Sequence, residues 1–168
     1  MVDELMAKLL IIWHSLTGGT QAMVQAALAG AQTEAGIEAR EKRAQDAGPD
    51  DLIAADGYLF ACPENLASMA GVMKDFFDRS YYPVLDQIQG RPYACMICAG
   101  SDGEGAARQI ARIATGWRLK PVAAPLIILT HAQSAAAILA PKVIGDADLA
   151  QCHDLGAMIA AGLAMGIF

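Results

Sequence analysis

The chain has 168 residues, 55% of them hydrophobic and 18% charged, with a formal net charge of −6 at pH 7. That length suits a single domain over residues 1–168 with a sizeable core, and the composition excludes a disordered chain. The negative balance excludes a nucleic-acid partner, which would need a basic stripe.

Asp3, Glu4 and Lys8 fall where a secretory leader would need a basic start and then an apolar run, so no signal peptide and a cytoplasmic location are expected. The apolar run Leu9-Leu10-Ile11-Ile12-Trp13 predicts a buried parallel strand over residues 8–13. Met23, Val24, Ala27, Leu28 and Ala31 then share one face of a first helix. Residues 37–43 read as a second, more polar strand at an edge, 56–61 as a third, 93–99 as a fourth and 124–129 as a fifth. Between the third and fourth, Leu66, Met69, Ala70, Met73, Phe76 and Phe77 recur at helical spacing as a core stripe. Ala107, Ile110, Ala111, Ala114 and Trp117 mark a further helix, and residues 147–165 the last one. The uncharged stretch 155–168 is shorter than the roughly 20 residues a bilayer requires and is broken by Gly156, Gly162 and Gly166, so no membrane span is expected.

Strands alternating with helices predict an α/β fold: a three-layer, doubly wound, five-stranded parallel sheet in the order 2-1-3-4-5. In such sheets ligands bind beyond the carboxyl ends of the strands, where the strand order reverses. The loops after strands one, three and four are therefore the places to look for chemistry.

After strand one comes Ser15-Leu16-Thr17-Gly18-Gly19-Thr20, opening the first helix. Free N–H groups and the positive end of the helix dipole converge there, which suits a phosphate monoester. Ser15, Thr17 and Thr20 add three hydroxyls, and Gly18 and Gly19 allow close backbone approach. No lysine sits in the loop, so it is not a G-x-x-x-x-G-K-[ST] nucleotide loop. After strand three comes Cys62-Pro63-Glu64-Asn65-Leu66, where Pro63 fixes a turn and Asn65 is placed to cap the helix that follows. After strand four comes Gly100-Ser101-Asp102-Gly103-Glu104-Gly105, whose glycine spacing is not that of a G-x-G-x-x-G dinucleotide loop.

Other chemistries on this scaffold are excluded. A phospho-acceptor domain needs acidic residues where this chain has Trp13-His14-Ser15 and an Asp where it has Ala61-Cys62-Pro63. No cysteine opens a Cys-x₅-Arg phosphatase loop. Cys95 and Cys98 have C-x-x-C spacing but lie three apart on a strand, pointing to opposite faces, so they are structural thiols of a reducing compartment. His14 and His131 end strands three spacings apart, roughly 14 Å, and His153 sits on the last helix, so no metal site is expected.

S-L-T-G-G-T resembles the [ST]-x-T-G-x-T phosphate loop of flavodoxin-like proteins, placed as in that family directly after the first strand. The loop at Cys62–Leu66 and the run Lys74-Asp75-Phe76-Phe77-Asp78-Arg79 look like that family's second flavin loop and the segment after it, and Gly100–Gly105 resembles its third. The resemblance implies FMN as cofactor. Ser15, Thr17, Gly18, Gly19 and Thr20 would hold its phosphate; Pro63, Glu64, Asn65 and Leu66 would border the ring; Gly100, Ser101, Asp102 and Gly103 would lie on the ring's other edge. It implies an NAD(P)H-dependent reductase passing hydride to the flavin and electrons on to a quinone or similar small-molecule acceptor, with no catalytic acid or base named. The alternative is a flavodoxin-type carrier shuttling electrons between redox proteins. Many relatives stack an aromatic residue on the flavin from the second or third loop, and neither loop here contains one. Tyr81 and Tyr82 follow a helix and belong at the opposite end of the sheet. Between Leu149 and Phe168 only Asp154 is charged, which predicts self-association as a homodimer or larger oligomer that helps complete the site. Residues 130–145, long for a connection, are expected to cover that apolar helix or join the interface.

Overall fold

The computed structural model describes residues 5–168 and carries the alternation of strand and helix through to the C-terminus. Asp3 and Glu4, on which the reading of the leader rests, lie outside the described residues. In chain order the elements are β1 (Ala7–Trp13), α1 (Gly19–Ala31), β2 (Ile37–Arg43), α2 (Pro49–Ala54), β3 (Gly57–Asn65), β4 (Ser68–Met69), α3 (Gly71–Val84), β5 (Pro92–Ala99), α4 (Glu104–Gly116), β6 (Lys120–Pro121), β7 (Leu126–Leu129), α5 (Ala135–Leu139) and α6 (Asp146–Ala164).

The sheet runs β2-β1-β3-β5, with β6 and β7 both parallel to β5 on its far side. Counted by places, this is the doubly wound order 2-1-3-4-5. The fifth place is divided: from Tyr93↔Pro121 to Met96↔Leu126, five steps on the edge lie opposite three on β5. Pro121 and Pro125 carry no N–H for a ladder, and prolines of this kind sit at sheet edges and bulges. The single strand expected at residues 124–129 is thus shorter, and a separate two-residue piece precedes it.

Two apolar layers sandwich the sheet. Leu10, Ile12, Tyr58 and Phe60 point to one face, where Phe76 and Phe77 of α3 and Ile110 of α4 meet them. Leu9, Ile11, Leu59 and Met96 point to the other, against Met23 and Val24 of α1 and Ile159 of α6. Cys95 belongs to the first layer and Cys98 to the second, so the C-x-x-C thiols lie on opposite faces, and all four cysteines are free. α6 and α1 touch backbone to backbone: a Cβ at Gly156 would overlap the Ala27 carbonyl, and one at Gly30 the His153 carbonyl.

The segment after β3 departs from the sequence expectation. Leu66 to Met69 are not helical. β3 continues to Asn65, the chain reverses at Leu66 and Ala67 (φ 51° and 64°), and Ser68–Met69 return antiparallel to Glu64–Asn65. The helix begins only at Gly71 with Ala70 at its N-cap, so Asn65 caps nothing. The pairing of β4 with the extended β3, and the bonds of Ser68 Oγ (3.0 Å) and Met69 N (2.8 Å) to Gln109 Oε1 on α4, hold the residues that carry the helical period out of the helix. Tertiary partners here override a local pattern. α2, with Pro49 at its first position and the Gly48 N–H bonded to Asp51 Oδ2 at 2.9 Å, and α5 are elements the sequence reading did not place.

Candidate functional site

The loop after β1 is preformed. Ser15 Oγ accepts the Gly18 N–H at 3.1 Å, and Gly18 takes a left-handed φ of 93°, a conformation that favours glycine. Gly18 is the N-cap of α1 and supplies no side-chain acceptor, so the first-turn N–H groups remain open to a ligand. Thr20, only 1% exposed, has a hydroxyl with no hydrogen-bond partner among the described residues. Thr20 is also one of the residues around a recess of about 50 Å³, lined by Ser15, Thr17, Gly19, Asn65, Cys98 and Ile138 among others. A buried hydroxyl left unpaired costs free energy, and here an anion on the helix N-terminus would satisfy it.

The second and third loops are tied together by one carboxylate. Glu64 Oε1 accepts the Gly103 N–H at 2.9 Å and Oε2 the Ala106 N–H at 3.0 Å, so Glu64 caps α4. Gly103 has φ 88° and is packed so that a Cβ would press on Ile127. A Cβ at Gly105 would overlap the Ala67 carbonyl of the β3–β4 turn, and one at Gly100 would stand 2.8 Å from the Ala132 carbonyl. The third loop therefore lies between that turn and the chain leaving β7.

Residues 130–145 form a strap across the mouth, and Ile144 near its end is buried in the same cluster as Cys152 and Ile159 of α6. The strap leaves β7 with Thr130 N bonded to Ala99 O at 2.8 Å and His131 N to Gly100 O at 2.9 Å. It turns through α5, whose five residues bury no side chain, and reaches the first loop, where the Lys142 N–H donates to Thr17 O at 2.8 Å. Lys142 Nζ lies 2.7 Å from Ile138 O, 2.6 Å from Ala140 O and 3.4 Å from Thr17 Oγ1. A second recess of about 60 Å³ opens beneath it, lined by Thr17, Pro63, Asn65, Gly100, Thr130 and Lys142 among others.

Ser15, Thr17, Gly19, Thr20, Pro63 and Asn65 thus line one small recess, and Thr17, Pro63, Glu64, Asn65 and Gly100 the next. Gly18 serves the turn and Gly103 the start of α4. Leu66 stands fully exposed at the turn tip, and Ser101 and Asp102 are exposed on the third loop; these three border neither recess. Lys142 and Ile138 border the site and sequence reasoning missed them as site residues. The one signal for them was the length of the 130–145 connection. Trp13 is buried beneath the loop, its Nε1–H bonded to Glu41 and its ring under Arg43 at 5.5 Å.

Burial shapes the titration of the site. It lowers the His14 pKa from its ordinary 6.5 and pushes the Cys62 thiol up to about 12. Burial also raises Cys98, while the Lys142 charge pulls it back. Among the described residues no group of three or more His, Cys, Asp or Glu side chains could hold a metal ion, and no helix is long and apolar enough to cross a membrane.

Comparison with known proteins fits this geometry. A flavodoxin of Aquifex aeolicus is 32% identical over 106 residues, covering 63% of this chain and 56% of that protein. An NAD(P)H dehydrogenase (quinone) of Acidithiobacillus ferrooxidans is 30% identical over 95 residues, covering 45% of this chain and 48% of that one. The chain spans about half the length of these curated relatives. Among solved structures, an archaeal flavodoxin superposes with a TM-score of 0.71 at 20% identity, covering 93% of this chain and 98% of its own, which establishes the flavodoxin-like fold. The sequence profile described as NADPH-dependent FMN reductase matches residues 39–134, which contain the second and third loops. Because that match runs through more than half of the chain, the protein belongs to the NADPH-dependent FMN reductase family of flavodoxin-like oxidoreductases.

Proposed function

We propose that this chain is a single-domain FMN oxidoreductase that accepts hydride from NAD(P)H and passes electrons to a quinone or similar small-molecule acceptor. The observation that carries the reading is the unpartnered, buried hydroxyl of Thr20 at the N-terminus of α1, a residue that lines one recess with Ser15, Thr17 and Gly19. These residues fit a phosphate monoester, and they would hold that end of FMN through hydroxyl and backbone N–H donors. Pro63, Asn65 and Gly100 would border the ring. Glu64 acts through its bonds to Gly103 and Ala106, which fix the third loop beside the second. Bound there, FMN would supply the acceptance of hydride and its release as electrons. The chain's part is to bind, orient and shield from water; no side chain at the mouth is assigned as a proton donor or acceptor.

Four free, buried cysteines and a nicotinamide donor suit the cytoplasm. The flavodoxin relative supports a second reading, an electron carrier serving a redox protein. Anaerobic addition of NADH or NADPH to the FMN-loaded protein separates the two: bleaching of the flavin within the enzyme's turnover time supports the reductase, and a flavin that only reduced partner proteins bleach supports the carrier.

Self-association is proposed through the outer face of α6, where Met158 and Met165 are exposed and Leu155 half-exposed. Ile159 is fully buried against α1 and β1 and takes no part in that face.

A further inference from the structure

The phosphate loop contains no lysine, yet an ammonium stands at its edge. Lys142 lies 125 residues along the chain from Thr17, and its Nζ is 3.4 Å from Thr17 Oγ1. The backbone beneath is equally close: a Cβ at Gly19 would meet Lys142 Cβ at 3.3 Å and Cys98 Sγ at 2.8 Å. An ammonium has three N–H donors. Two go to the Ile138 and Ala140 carbonyls at 2.7 and 2.6 Å, which fix the head of the side chain over the loop. The third contact, to Thr17 Oγ1, is long, and that donor is the one an incoming oxygen can take.

We propose that Lys142 is the cation of the phosphate recess, completing the site from the strap so that an anionic phosphate monoester is bridged between α1 and residues 138–142. The inference deepens the FMN reading and rests on it. Charge is its physical basis. A phosphate monoester carries about −1.5 to −2 at pH 7, and the helix N-terminus offsets roughly half a unit. Around the two recesses the other charged lining residue is Glu64, whose carboxylate is held by the N-terminus of α4. Lys142 is the lining cation of the second recess, which shares Thr17, Pro63 and Asn65 with the first, and the unpaired hydroxyl of Thr20, a lining residue of the first, independently marks where the anion belongs.

Titration of flavin fluorescence on the full chain, with FMN and with riboflavin, tests this directly. Lys142→Met keeps the methylenes that pack on Gly19 and removes the charge. It should weaken FMN about ten- to hundredfold and leave riboflavin within about twofold, while Lys142→Arg stays near the parent. Inorganic phosphate, read as a rise in the thermal midpoint of the flavin-free chain, should protect the parent protein and not Lys142→Met. Should Lys142→Met fail to fold, Lys142→Gln carries the same comparison. Unchanged FMN affinity in the charge-neutral variant, with Thr17→Ala still weakening FMN, would overturn the lysine assignment and leave the cofactor reading standing. Equal losses of FMN and riboflavin would also overturn it, because the lysine would then only hold the strap in place. A parent protein that binds neither FMN nor inorganic phosphate would overturn both.

Discussion

Glu64 and Gly103 are joined by a 2.9 Å hydrogen bond from the Gly103 N–H to the Glu64 carboxylate, and its second oxygen takes the Ala106 N–H. A side chain at the end of β3 thereby caps a helix that begins 40 residues later. Glu64→Ala should remove both bonds, lower unfolding stability by about 1.5–3 kcal/mol, and loosen Gly100–Gly103. Glu64→Gln, which keeps one carbonyl oxygen, should lose less. Urea unfolding of the three proteins provides the comparison, and equal midpoints would refute the cap.

Thr20 sets binding against stability. Replacing it with the isosteric valine removes a buried hydroxyl that has no partner among the described residues. The flavin-free Thr20→Val protein should therefore be more stable by about 1 kcal/mol, whereas its FMN affinity should fall about tenfold or more. Thr17→Ala combined with Thr20→Ala should weaken FMN at least about a hundredfold with riboflavin almost unaffected. A destabilised valine variant would show that the hydroxyl already has a partner.

The Cys62 thiol, fully buried and pushed up to about 12, stays protonated at neutral pH. Cys62→Ala should retain most NAD(P)H-to-quinone activity, and the native thiol should resist a disulfide reagent until the protein unfolds. Loss of several orders of magnitude in activity with FMN still bound would place a thiol in the reaction.

His14 gives the loop a pH response. Its folded pKa lies below 6.5, so the unfolded chain binds the proton more readily, and stability contributed by neutral His14 is complete above 6.5. That contribution is lost as pH falls from 6.5 through the folded value. The thermal midpoint of the parent should drop across this window more than that of His14→Gln; parallel curves would remove His14 from the account.

For self-association, Met158→Glu should shift the light-scattering mass toward the monomer without unfolding the chain. Ile159→Glu should instead unfold it, since Ile159 is fully buried. A parent protein that is already a clean monomer at micromolar concentration would end the proposal.

The strands were legible because each of β1, β3 and β5 is buried on both faces, and a doubly buried strand is apolar throughout, whatever its partners. The three loops were legible because they follow those strands. Helix α3 was misplaced at its start because Leu66, Met69 and Ala70 continue the helical period of Met73, Phe76 and Phe77, while Gln109, some forty residues away, holds Ser68 and Met69 in a hairpin. Position in the chain likewise concealed Lys142: no spacing within the sequence relates it to Thr17. Contacts made through a neighbouring helix or a returning strap leave no periodic trace.

The backbone contact between α1 and α6 constrains which sequences can replace this one. A methyl group at Gly30 or Gly156 collides with a main-chain carbonyl of the opposite helix, at His153 or Ala27. Side-chain collisions can be relieved by trimming the neighbour, but a carbonyl is present whatever residue occupies its position. Second-site suppressors of Gly156→Ala should therefore not arise by trimming at Ala27, where no smaller residue than glycine exists and the offending oxygen remains. Only substitutions that slide the helices apart can rescue it. Since α1 begins at the loop Ser15–Thr20, proposed to hold the FMN phosphate, and α6 follows the strap, such rescued proteins should show altered flavin affinity as the mark of their recovery.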